Sequence, residues 1–150
     1  MKNIIISSCL LGENVRYNGE AVDISEGVSV LSDEYNIIPV CPEVLGGLSV
    51  PREPCEIVNG TGIDVLNGCA RVMGSKGADC TEAFLKGAEI VLSIAKEHKA
   101  ELAVMKERSP SCGSSRIYSG EFNGNKKPGQ GVTSALLQMS GIKVISEEVI

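Results

Sequence analysis

The apolar positions of this chain gather into four short β-branched runs and two longer amphipathic stretches. "KNIIISS", residues 2–8, is continuous and ends in Ser, the pattern of a strand buried on both faces. "NIIPVCPE" (36–43), "AELAVMKE" (100–107) and "IKVISE" (142–147) have the same character. From Thr81, the residues Phe84, Ala88, Val91, Ile94 and Ala95 recur at three- and four-residue intervals. Glu82, Lys86, Glu89, Lys96 and Glu97 fall on the other side, which predicts a helix started by Asp79 or Thr81. "VTSALLQMSG" (132–141) predicts a second helix, with Gly141 placed to stop it. A further helix is expected over "DISEGVSVLSDEY" (23–35), although Gly27 and the β-branched residues weaken it. Between residues 53 and 76, Asn-Gly and Gly turns separate short apolar pairs, as in a small hairpin or meander.

Strands that alternate with helices favour a parallel sheet, because parallel strands need crossover connections. The expected fold is therefore a three-layer, Rossmann-like α/β domain, with a mainly parallel sheet and a small hairpin insertion. The chain of 150 residues reads as one domain over 1–150, long enough to bury roughly two thirds of its unfolded surface. Such a core needs no disulfides.

Composition narrows the function. A net charge of −5 argues against an extended nucleic-acid surface or an anionic-membrane surface. With no Trp and 3% aromatics, a base-stacking platform is also unsupported. No apolar run reaches the ~18 residues of a membrane span. The N-terminal run is interrupted by Ser7, Ser8 and Gly12, unlike a secretory signal, so the expected location is cytoplasmic. Six cysteines in a reducing compartment point to metal or redox chemistry.

The thiols fall in two groups. Ligands of open parallel sheets bind beyond the carboxyl ends of the strands. Cys9 follows the first expected strand, Cys41 closes the second, and Cys112 lies in the loop after "ELAVMKE". Cys55 and Cys69 belong to the hairpin region and Cys80 to the start of the long helix. Any one thiol after a strand can be packing filler; three at one edge make a shared site a competing explanation. There is no C-x-x-C pair, and the single histidine, His98, sits in the long helix, so a zinc ribbon is disfavoured. Three thiolates without a fourth are compatible with a [4Fe–4S] cluster that keeps one iron open, although spacing alone does not name it.

Four separated motifs sharpen the reading. "SSCLLGENVRYNG", "VCPEVLGGLSVPREPCEI", "MKERSPSCG" and "GQGVTSALL" occur in this order over nearly the whole chain. In that respect the sequence resembles the thiouracil desulfurase (desulfidase) family. The resemblance implies a [4Fe–4S] cluster on Cys9, Cys41 and Cys112. It implies non-redox removal of sulfur from thiolated uracil bases or nucleotides, such as 2-thiouracil or 4-thiouridine monophosphate. Substrate sulfur would bind the open iron, water would attack the ring carbon, and sulfide would leave, to solvent or to a sulfur-acceptor protein.

For that chemistry Glu43 is the expected general base, with Ser109 and Ser111 orienting water or substrate. Equally, Glu43 fits a helix N-terminal carboxylate, and either serine a turn residue bonding its own backbone. Gly131, Val132 and Thr133 open a helix whose first N–H groups suit a substrate phosphate, or simply form a tight turn. Arg16, Tyr17 and Arg52 are expected to line the pocket, or to anchor loops. Two other functions remain open on sequence: an iron–sulfur carrier module that delivers hydrosulfide to a partner enzyme, and a cluster-free nucleotide-binding protein.

Overall fold

The structure, a computed structural model, describes residues 1–11, 17–18 and 31–149. Its centre is a four-stranded parallel sheet of order β2-β1-β5-β8, built from β1 (Lys2–Ser7), β2 (Tyr35–Val40), β5 (Leu102–Met105) and β8 (Lys143–Ser146). The register pairs Ile4 with Ile37 and Leu102, and Val104 with Ile145. β1 is buried on both faces, as its unbroken run of isoleucines predicts. Ile5 packs with Ala103, Met105, Val91 and Leu137 on one side. Ile4 and Ile6 pack with Leu10 and Val104 on the other. The architecture is the three-layer, Rossmann-like α/β fold expected from the alternation of elements.

Helix α3 (Thr81–Glu97) buries Phe84, Ala88, Val91 and Ala95, the face its periodicity predicts. Asp79 Oδ1 accepts the Thr81 N–H at 3.0 Å and so serves the helix start, whereas Cys80 is the N-cap and Thr81 Oγ1 accepts the Val72 N–H from outside the helix. The helix ends at Glu97 because Lys99 turns left-handed at φ 51°. His98 is therefore exposed just past the helix rather than within it. Helix α4 (Val132–Met139) stops where Gly141, at φ 88°, lets the Ile142 N–H return to the Leu137 carbonyl.

The hairpin of β3 (Cys55–Val58) and β4 (Arg71–Gly74) is antiparallel as expected, but its connection is not a tight Asn-Gly turn. It contains α2 (Gly62–Leu66), started by a capping box in which Asp64 Oδ2 accepts the Thr61 N–H at 2.8 Å. A second ribbon, β6 (Arg116–Tyr118) with β7 (Lys126–Pro128), replaces part of the expected loop after β5. Of the helix expected over 23–35, residues 31–34 are helical and Tyr35 opens β2; residues 23–30 lie outside the described residues.

Between β2 and β3, α1 (Pro42–Leu45) is pressed against α3 through two glycines. A Cβ on Gly46 would strike the Ala83 carbonyl, and one on Gly87 the Pro42 carbonyl. The close approach fixes the segment that carries Cys41 and Glu43. Gly to Ala in a helix interior ordinarily stabilises by about 1 kcal/mol. Here the sign should reverse: Gly87→Ala is expected to destabilise by about 1–3 kcal/mol through overpacking. Urea denaturation reads this directly, and an unchanged or raised midpoint would mean that α1 and α3 have room to separate.

Candidate active site

Three of the six thiols meet at the carboxyl edge of the sheet. Cys9 lies in the 3-10 turn Ser8–Leu10 that leaves β1, and Cys41 is the residue between β2 and α1. Cys112 lies in the loop after β5. All three line one cavity of about 390 Å³, together with Glu43, Ser109 and Ser111. Cys9 and Cys112 are buried and Cys41 is half-buried. Cys55 also faces this cavity, whereas Cys69 is exposed elsewhere.

Burial pushes the Cys112 thiol up to about 12, and negative charge on Cys9 and Glu43 adds to the rise; hydroxyls of Ser111 and Ser7 act in the opposite direction. Burial also raises Cys41, partly offset by the Val44 backbone N–H. These thiols stay protonated until something positive compensates their charge. Among the described residues, no three His, Cys, Asp or Glu side chains are arranged to hold a single metal ion. In a cubane cluster each thiolate binds a different iron, at a different corner, so thiols set around a cavity suit it better than they suit one ion.

Beside the thiols runs a short chain of hydroxyls. Ser111 Oγ donates to Glu43 Oε2 at 2.9 Å, because an ionised carboxylate can only accept. Cys112 Sγ, at 3.5 Å, is the more distant acceptor for that proton, and Ser111 Oγ accepts from Ser109 Oγ at 2.9 Å. Ser109 Oγ in turn accepts the N–H groups of Ser111 and Cys112, at 3.2 and 3.1 Å. The result is a directed path from Ser109 through Ser111 to Glu43. Ser109 has the turn role that the sequence allowed, since it bonds its own loop. Glu43 belongs to the first turn of α1, yet its carboxylate is committed to Ser111 and to Arg52 Nε at 3.1 Å.

The residues expected to bind substrate separate. Tyr17 lines the cavity, and its carbonyl accepts the Arg52 N–H at 2.7 Å. Arg52 also lines it, but its guanidinium pairs with Glu43 and donates to the Ser49 carbonyl, so it orients the carboxylate. Arg16 lies outside the described residues. Gly131, Val132 and Thr133 do not line the cavity. Their N–H groups donate to the carbonyls of Gly113, Pro110 and Ser111 at 2.8–2.9 Å, so the donors on which a phosphate site at this junction depended are occupied. The bare Gly131 is what permits this: a Cβ there would stand 2.6 Å from the Ser111 carbonyl oxygen. Helix α4 thus carries the Cys112 loop, and Ser134 Oγ adds a 2.7 Å bond to the Cys112 carbonyl.

Sequence reasoning passed over Glu107. Its side chain is buried inside its own loop, where Oε1 accepts the N–H groups of Ser114, Ser115 and Arg116 at 2.9–3.0 Å. Oε2 accepts the hydroxyls of Ser114 and Ser115, both at 2.9 Å. A lone acid at the head of a Ser-Gly loop was the available signal. Lys106, also on the cavity wall, pairs with Glu147 at 3.2 Å and holds the Glu107 carbonyl. Ser7 Oγ accepts the Lys106 N–H at 3.0 Å and ties the end of β1 to β5.

A thiol-lined cavity flanked by a carboxylate–hydroxyl path, at the carboxyl edge of a parallel sheet, marks an α/β protein built for sulfur or metal–sulfur chemistry. The chain belongs to the 2-thiouracil desulfurase family, whose model matches residues 4–149. It is 51% identical to the uncharacterized protein YbbK of Bacillus subtilis (strain 168), over 96% of this chain and 95% of that protein. Among solved structures, it is similar to the [4Fe-4S]-dependent thiouracil desulfidase TudS. That match has 40% identity and a TM-score of 0.88, over 100% of this chain and 93% of the other.

Burial raises the Glu107 carboxyl, but bonds from the Ser115 and Arg116 amides and the two serine hydroxyls outweigh it and bring it down to about 2, from 4.5. A lowered carboxyl contributes stability that is complete above its unfolded value and is lost as the pH falls through its folded one. The contribution is on the order of 3 kcal/mol and should disappear between about pH 4.5 and 2. Glu107→Gln is therefore expected to be less stable at neutral pH and to show a flatter acid limb in denaturation measured across this range. An acid limb as steep as in the parent protein would assign the loss to other carboxylates.

Proposed function

We propose that this protein is a [4Fe–4S]-dependent desulfurase that removes sulfur from thiolated uracil, as free base or nucleotide, without net redox change. One observation carries the reading: Cys9, Cys41 and Cys112, from three separate strand ends, line the same cavity as the Ser109–Ser111–Glu43 path. The family and the TudS neighbour support it independently. The donor set fits the cluster, being all thiol and set around a space of about 390 Å³. Held by these three residues, it would supply a Lewis-acidic iron able to polarise a thiocarbonyl group.

The remaining chemistry belongs to this chain. Water must lose a proton as it adds to the ring carbon, and the departing group must be protonated. Glu43 is the base, and Ser111 hands it the proton, since that hydroxyl already donates to the carboxylate. Ser109 keeps Ser111 in this orientation by supplying it with a donor. Arg52 holds Glu43 from the side opposite Ser111. Pro54 and Tyr118 supply cavity wall on which a planar ring can rest. The protein acts as a single domain, and the sulfide leaves to solvent or to an acceptor.

Two experiments check this. Protein purified without oxygen should contain iron and acid-labile sulfide and show the broad visible absorbance of a cluster. Cys9→Ser, Cys41→Ser and Cys112→Ser should each lose it, and Cys69→Ser should keep it. Cluster loss in all four, or in none, would mean a different ligand set. In cluster-loaded protein, Glu43→Gln and Ser111→Ala should lower turnover of 2-thiouracil or 4-thiouridine monophosphate by about 10²- to 10⁴-fold. Hydrosulfide taken up from added sulfide, with no uracil formed from either thiolated substrate, would point instead to a carrier.

A further inference from the structure

The desulfurase reading leaves one thiol of the cavity wall unused, and that thiol has a partner. Cys55 Sγ lies 3.7 Å from Cys80 Sγ, although 25 residues separate them in sequence. Cys55 opens β3 opposite Gly74 of β4, and Cys80 immediately precedes α3. The start of α3 is bound to β4, the strand paired with β3, because the Cys80 N–H donates to the Val72 carbonyl and the Val72 N–H donates to Thr81 Oγ1. The sulfurs therefore stand in van der Waals contact on a common frame, and bonding them requires the two to close from 3.7 Å to about 2 Å.

We propose that Cys55 and Cys80 are a redox-active thiol pair that closes to an intramolecular disulfide on the cavity wall by exchange with a low-molecular-weight disulfide. Cys80 is partly exposed and makes the first attack, whereas Cys55 is buried. The Cys80 thiolate attacks one sulfur of the small disulfide, expels one thiolate, and forms a mixed disulfide. Cys55 then attacks the Cys80 sulfur and expels the second small thiolate. Two protein thiols are oxidised, one small disulfide is reduced, and the two protons pass to the departing thiolates. Burial and the neighbouring Cys80 both push the Cys55 thiol up. The second contribution ends once Cys80 is in the mixed disulfide, so the first step eases the other.

Cys69 provides an internal control. It is exposed, and among the described residues its sulfur lies beside the Asn67 carbonyl, at 3.7 Å, away from the other thiols. It should stop at a mixed disulfide. The inference does not require desulfurase turnover, so its failure and the failure of that reading are separate results.

The test treats anaerobically purified, cluster-loaded protein with glutathione disulfide, alkylates the remaining thiols, and maps them by peptide mass spectrometry. The expected product is a Cys55–Cys80 linked peptide two hydrogens lighter than the reduced pair, reopened by dithiothreitol. In Cys55→Ala, Cys80 should stop at the mixed disulfide, as Cys69 does. In Cys80→Ser, Cys55 should remain a free thiol. Cys55 and Cys80 both remaining free in the parent protein, or Cys80 accumulating as a stable mixed disulfide there, would overturn the proposal.

Discussion

The position of Cys112 depends on one buried carboxylate. Glu107 gathers three amides and two hydroxyls of residues 114–116 onto its two oxygens, which turns a Ser-Gly stretch into a closed loop. An uncompensated carboxylate in that place would be costly, so the loop and its acid exist only together. Inside the closed loop, Ser109 Oγ binds the amides of Ser111 and Cys112 and so sets the direction of both side chains. Thiol and hydroxyl chain are thus parts of one folded unit.

The other half of the cavity is fixed by sterics rather than by charge. Gly46 and Gly87 let α1 lie against α3 at backbone distance, which sets where Cys41 ends and where Glu43 begins. Glu43 then reaches across to Ser111, 68 residues away in sequence. Two scaffolds with different physical origins meet at that one hydrogen bond. Arg52 supports it from the side of the chain that leads into β3.

Much of this was legible in the sequence. The β-branched runs gave the parallel strands, and their order gave the sheet edge at which Cys9, Cys41 and Cys112 now share a cavity. Glu43, Ser109 and Ser111 could be singled out as polar neighbours of two of those thiols. What stayed hidden was pairing. The composition of "GQGVT" shows that amides are available, but not that the 110–113 carbonyls take them. Arg52 as a cation could face substrate or Glu43 equally well until the distance to each was known. Helix α2 was masked because Asn-Gly and Gly residues suggested turns, while its Thr61–Asp64 box is a helix start. The β6–β7 ribbon has three residues a side and too short a run for a period to show.

The union of α4 with the Cys112 loop has a further consequence. Val132, Thr133 and Ser134 each spend their first-turn amides on that loop, and the Ser134 hydroxyl secures the Cys112 carbonyl. A helix that contributes no residue to the cavity lining therefore holds its floor in place. Local opening of α4 and loss of the thiol geometry are one event, with one free energy. Unwinding of this eight-residue helix would therefore release the Cys112 loop without first disturbing any side chain that lines the cavity.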